Sequence, residues 1–244
     1  MKRKHLLFLT LGLGALAFLP SCSDDDDDNM LYRPTALVTV CPAYEGGFVM
    51  QLNDSVQLVP LNMKTSPYGL KEVRALVNYT RDNTPTTSEN IQAVHVNWLD
   101  SIRTKMPVKS AGPENDAIYG DDPIEIVRDW VTIAEDGYLT LRVRTLWGMT
   151  DTPHILNLLT GTNPDNPFEL ELRHDAQGDG NGRWGDALIA FNLNEMPRFD
   201  SEKAKITLKW KSFSGDKSIQ FEIKMRPKNH EIDSNDILYS RCIK

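Results

Sequence analysis

The densest run of oxygen ligands in the sequence is Asp175-Ala176-Gln177-Gly178-Asp179-Gly180-Asn181-Gly182-Arg183-Trp184-Gly185-Asp186. Carboxylates and an amide spaced by glycines could wrap a hard cation, because glycine lets the backbone bend and offers its carbonyl oxygens. Asp175, Asp179, Asn181 and Asp186 are the calcium donors that such a string would use. It departs from the helix-loop-helix calcium pattern, since Arg183 stands where a third acidic or amide ligand belongs and no Glu closes the register. A long loop of turn-forming residues between two strands produces the same string. The expectation is therefore no metal, with these four residues as the calcium candidates.

Other reaction chemistries find less to work with. His95, His154, His174 and His230 are scattered singly, without the HExxH or HxH spacing of a zinc site. His174 continues the face formed by Phe168, Leu170 and Leu172 and is expected at the edge of a core. No GxSxG elbow, GxxxxGK[ST] loop or GxGxxG turn occurs. No catalytic residue, cofactor or enzymatic activity is expected. Aromatic rings at strand ends and in loops are better placed, because they can stack on sugar faces or on other rings. Trp147 beside Gly148 and Trp184 between Arg183 and Gly185 are the candidate ligand-binding residues. Trp98, Trp130 and Trp210 fit strand periodicity as core. Lysines on the outer face of 203–211, with Lys224, form a basic stripe read as a solubilising face.

The most specific chemistry lies at the start. Lys2, Arg3 and Lys4 precede an uncharged run of 14 residues, Leu6 to Leu19. A spanning helix needs roughly 20, so the run fits the apolar region of a signal peptide over residues 1–21. Leu19-Pro20-Ser21-Cys22 resembles a bacterial lipobox, in which the cysteine is lipidated and becomes the new N-terminus. A covalent lipid with palmitate-type chains at Cys22 is the one non-protein group expected, and two or more acyl chains give stable anchoring. Ser23, Asp24, Asp25, Asp26, Asp27 and Asp28 follow as a solvated tether that ends near residue 33. Acidic residues at this place resemble the surface-export signal of Bacteroidetes-type lipoproteins, which implies the outer membrane with the protein facing outward.

The elements that must position the remaining candidates are strands. In Glu72 to Tyr79, Val73, Ala75, Val77 and Tyr79 share one face and Glu72, Arg74 and Asn78 the other, the period of a half-buried strand. Similar segments at 36–42, 47–52, 56–61 and 91–99 make five strands within 34–108, the pattern of a small barrel of the oligonucleotide/oligosaccharide-binding (OB) type. Residues 109–123, rich in Gly, Pro, Asp and Asn, read as a linker. Strands at 124–133, 138–147, 154–160, 168–174, 187–193 and a hairpin spanning 203–225 then make an antiparallel β-sandwich of about seven strands within 124–228, with 229–244 as a C-terminal tail. The fold class is all-β. Cys41 and Cys242 are the two cysteines left over for pairing or for separate thiols.

The formal charge of −7 gives no basic field to draw nucleic acid. Losing Lys2, Arg3 and Lys4 with the signal peptide leaves −10, half of it carried by the five consecutive aspartates, so the folded part is only mildly acidic.

The segments Pro34 to Val40, Glu72 to Tyr79, Val96 to Ile102 and Asp122 to Val131, together with Leu146-Trp147-Gly148, Glu171-Leu172-Arg173-His174 and Trp210-Lys211-Ser212-Phe213-Ser214-Gly215, resemble the NigD-like lipoproteins. The resemblance implies an N-terminal OB-type barrel followed by a C-terminal β-sandwich. It carries over no catalytic residue. The family's name comes from a bacteriocin operon, in which an immunity role has been suggested. The expected function is a non-enzymatic, lipid-anchored cell-surface protein that binds a protein partner or a glycan. One alternative is an immunity protein that sequesters a bacteriocin or its receptor. A surface hydrolase using Asp179 and Asp186 is another, although no known carboxylate separation supports it.

Overall fold

The alternation in the first half of the chain closes on itself. In the computed structural model, which describes residues 33–43, 46–86, 88–148, 151–196 and 203–226, β1 (Ala36–Pro42), β2 (Phe48–Gln51), β3 (Gln57–Pro60), β4 (Val73–Arg81) and β5 (Ile91–Ser101) form a closed barrel in the order β1-β2-β3-β5-β4. Neighbours are antiparallel except β3 and β5, which run parallel. Closure leaves no free sheet edge. Val38, Val40, Met50, Leu58, Val77 and Val94 fill the interior. The Asn53 side chain accepts hydrogen bonds from the Ser55 and Val56 amides, 2.9 Å each, and so turns the chain between β2 and β3.

The second domain begins without a gap. Ile102 is buried against Leu37 and Ala190, and the next residues are already strand. Ten strands follow: β6 (Arg103–Lys105), β7 (Val108–Lys109), β8 (Glu125–Val127), β9 (Ile133–Glu135), β10 (Tyr138–Trp147), β11 (Ile155–Thr160), β12 (Glu169–Asp175), β13 (Arg183–Asn192), β14 (Lys203–Ser212) and β15 (Gly215–Lys224). A front sheet runs β6-β13-β10-β8, with β9 also paired to β10, and a back sheet runs β15-β14-β12-β11-β7. Leu139, Leu141 and Val143 of the front sheet meet Leu158, Leu172, Leu208 and Ile223 of the back sheet in one core.

Several expectations are corrected here. The sandwich is mixed, because β6–β13, β7–β11 and β12–β14 are parallel pairs. Strands β6 to β9 are too short to show a period, which is why fewer were expected. The single strand read over 124–133 is two, β8 and β9, both paired to β10. The break comes where the Asp129 carboxylate turns back onto the Trp130 amide, and the Thr132 amide donates to the Asp129 carbonyl. Trp130, expected in the core, is therefore 51% exposed. Strand β13 starts at Arg183, inside the stretch read as a loop. Residues 109–123, read as a linker, carry a 3-10 turn (Gly112–Glu114) and the short helix α1 (Asn115–Tyr119). Arg173 of β12 holds that stretch through Asp116 at 2.7 Å and Asp121 at 3.0 Å.

The two domains meet across a polar seam. Arg74, expected on a solvated strand face, has a fully buried side chain and bonds Glu135 at 2.6 Å, Thr39 at 2.9 Å and Thr140 at 3.3 Å. Burial pushes the Glu135 carboxyl up, and Arg74 offsets that in part. Tyr138 donates to Glu72, which also pairs with Arg226 at 2.7 Å. The guanidinium carbons of Arg74 and Arg226 lie 5.8 and 5.6 Å from the Tyr138 ring centre. Removing either partner of such a buried pair strands a charge, so the seam fixes one domain against the other.

Candidate binding surface

Strand pairing decides where each candidate side chain points. In β10, Leu139, Leu141 and Val143 face the core, so Thr140, Arg142, Arg144 and Leu146 face outward. The register with β13 sets Ala190, Leu188, Asp186 and Trp184 opposite them. This outer face of the front sheet divides along its length. At one end Thr140, Leu188 and Ala190 lie under the barrel with Arg74, Leu37 and Leu76. At the other end Arg142, Arg144, Asp186 and Trp184 are open.

The open end is built around one carboxylate. Asp186 accepts from Arg144 Nε at 2.5 Å and Nη2 at 3.0 Å, and from Arg142 Nε at 2.8 Å. Arg142 also reaches Asp129, giving a continuous ladder Asp129, Arg142, Asp186, Arg144. Hydrogen bonds from Arg144 and then Arg142 hold the Asp186 carboxyl at about 2, and those from Arg142 and the Trp130 amide hold Asp129 below its usual range. All four groups are therefore charged at neutral pH. Beyond the ladder, Trp184 is 56% exposed and meets Phe213 edge to face at 4.8 Å between ring centres. Phe213 sits in the β14–β15 turn, brought over the sheet edge by Glu125, which accepts from Ser212 at 2.6 Å and Lys217 at 3.0 Å. Trp130 directly follows Asp129 at the Arg142 end. The large hydrophobic side chains that stay exposed among the described residues include three aromatics, Trp130, Trp184 and Phe213. Trp184 and Phe213 meet on this face, and Trp130 follows Asp129 at its Arg142 end, its amide bonded to the Asp129 carboxylate.

Trp147, the other expected ligand-binding residue, lies away from this face. It shares the inward parity of Val143 and lies half-buried, stacked on His154 with ring centres 4.1 Å apart. Its ring comes so close to the next strand that a Cβ on Gly185 would stand 2.5 Å from Trp147 Cδ1, so Gly185 is there to make room. The His154 side chain is fully buried, its Nδ1 2.9 Å from His174 Nε2 and its Nε2 3.6 Å from Asp179. Burial and then the neighbouring His154 push the His174 imidazole down. Histidines that look solitary in the sequence thus form a pair. Only the β11–β12 register, which sets His174 opposite Leu156, could have revealed it.

The calcium candidates go to separate partners. Asp175 accepts from the Gln177 amide at 2.8 Å, Asp179 accepts from the Gly148 amide at 2.9 Å, Asp186 is held by two arginines, and Asn181 is exposed. The second part of the string is strand, which turns Asp186 onto the arginine ladder. Among the described residues no three His, Cys, Asp or Glu side chains gather to hold a metal. Asp179 and Asp186 likewise face different groups.

Cys22, Ser23, Asp24 to Asp28, the signal peptide and the C-terminal tail lie outside the described residues. Cys41 is disulfide-bonded, and both other cysteines lie outside them as well. No helix among the described residues is long and apolar enough to cross a membrane.

Comparison with known proteins agrees with this architecture. Residues 37–102 match the NigD-like N-terminal OB domain and residues 106–223 the NigD-like C-terminal beta sandwich domain. No curated protein matches. A solved structure from Parabacteroides distasonis, named as a toxin-related protein, is 30% identical, covering 78% of this chain and 92% of its own, with a TM-score of 0.65. A protein of unknown function from Bacteroides vulgatus shares the fold at 18% identity, 83% and 97% coverage and a TM-score of 0.63. A NigD-like immunity protein from Bacteroides caccae does so at 18% identity, 79% and 99% coverage and a TM-score of 0.55. With both domain families matched in order along one chain, this protein belongs to the NigD-like family.

Proposed function

We propose that this chain is a non-enzymatic, lipid-anchored protein of the outer membrane, exposed on the cell surface, that holds its ligand on the open half of the front sheet. The observation that carries the reading is the exposed Trp184–Phe213 pair beside a charged ladder, at whose other end the exposed Trp130 follows Asp129. Soluble proteins cover most large aromatics, and patches of them mark interaction sites. The anchor follows from the sequence. Two or more acyl chains on Cys22 hold the protein at the bilayer, while the aspartates that follow repel one another and keep the domains clear of it.

Cell fractionation tests the anchor: Cys22→Ala moves the protein from the membrane fraction to the soluble one, and continued retention contradicts the reading. In the immunity-type alternative the same face seizes a protein toxin or its receptor. The toxin-related name of the 30%-identical structure favours it, and the test below separates the two.

A further inference from the structure

The chemistry of the open face narrows its ligand. The ladder contains two guanidinium groups, Arg142 and Arg144, and two carboxylates, Asp129 and Asp186, joined to one another. Its charge is balanced and its groups alternate in sign along the chain of contacts. A polyanion would meet Asp186 and Asp129 wherever it met an arginine, and a polycation the reverse. A guanidinium carries five N–H donors and a carboxylate about four lone-pair sites, so the ladder presents donors and acceptors side by side. A hydroxyl both donates and accepts, and suits such a surface better than a group that does only one.

The ends of the ladder add the second requirement. Trp184 pairs with Leu146 in the register and Arg142 with Leu188. The Trp184–Phe213 end and the Arg142 end, beside which Trp130 lies, are therefore separated by about 13 Å, four strand residues at roughly 3.3 Å each. The ring faces carry negative quadrupoles that attract the weakly positive C–H faces of a pyranose ring. Aromatic surfaces separated by alternating donors and acceptors call for a ligand whose apolar C–H faces recur along a hydroxyl-bearing backbone.

We propose that the occupant is a neutral oligosaccharide lying along β10 and β13, its rings stacked at Trp184–Phe213 and at Trp130 and its hydroxyls bonded to Arg144, Asp186 and Arg142 between them. This rests on the reading that the ligand occupies this face.

The full-length lipidated protein, extracted in detergent, is applied to immobilised neutral polysaccharides (dextran, mannan, xylan) and anionic ones (heparin, polygalacturonate). Retention on a neutral polysaccharide is expected, weakened at least tenfold in Trp184→Ala and in Asp186→Asn with melting temperatures close to wild type. Retention on the anionic set alone, or neutral retention untouched by Trp184→Ala and by Trp130→Ala, overturns the inference. No glycan retention together with capture of a protein that Trp184→Ala abolishes also overturns it, while leaving the binding face standing. Absence of any binding that depends on Trp184 overturns both.

Discussion

The outer face of the front sheet is one surface with two fates. At the Thr140 end it is covered by the barrel, and its polar groups are buried and paired. Arg74 spends its donors on Thr39, Thr140 and Glu135. At the Arg142 end the same strands carry a ladder of the same residue types in water. Salt bridges in the two places are alike in distance and unlike in consequence, because a buried charge that loses its partner cannot be hydrated and an exposed one can. The covered half therefore sets domain geometry, and the open half is free to exchange its contacts with a ligand.

The largest expected effect breaks the covered half. Arg74→Ala leaves the largely buried Glu135 without its cation and should lower unfolding free energy by about 3 kcal/mol. Denaturant titration checks this, and a loss comparable to that of an exposed substitution would mean that the seam is not closed. The second expected effect comes from the inward corner beneath Trp147. Because burial lowers the His174 pKa, its neutral form belongs to the folded state. That contribution is present above the unfolded value near 6.5 and is lost as pH falls through the lowered folded value. Urea midpoints should fall on acidification below about pH 6.5, with a slope of at most about 1.4 kcal/mol per pH unit for one proton. Replacing His174 with Phe should flatten that slope.

The smaller effects lie on the open half, where function and stability separate. Trp184→Ala forfeits an edge-to-face ring pair worth roughly 0.5–1.5 kcal/mol, so thermal melting shifts little while ligand retention collapses. Asp186→Asn should leave melting unchanged, since Arg142 and Arg144 are then hydrated, and should still weaken binding. A large melting shift in either variant would show that the open half is structural, like the covered one.

Much of the fold was legible because strand alternation is local. The five barrel strands follow directly from it, as does Tyr138–Trp147, where core and outward residues alternate without interruption. Trp130 reads as core because it shares the parity of Ile124 and Ile126, and the turn that breaks the strand leaves that alternation intact in sequence. That turn is made by Asp129, which is held in place by Arg142 from the neighbouring strand. Arg183 to Asp186 looked like loop because glycine and aspartate favour turns; pairing with residues 144–147, far away in the chain, makes them strand instead. Arg74 looked solvated because the groups that satisfy it, Glu135 and Thr140, lie in the other domain.

The exposure of Trp184 was legible from its setting between Arg183 and Gly185 in a polar, glycine-rich stretch. The candidate site was illegible at Phe213 and Asp129, which join the face only through contacts across the sheet edge. Trp147 and Trp184 read alike in sequence and part company because one has the inward parity of β10 and the other the outward parity of β13.

The central claim is that the open half binds a ligand through its exposed aromatics. It is tested most directly by titrating wild type and Trp184→Ala with whichever of dextran, mannan or xylan the wild type retains, using calorimetry and following thermal melting of the same samples. The account predicts at least a tenfold rise in Kd with the melting temperature preserved. Equal affinity in the two proteins would contradict it.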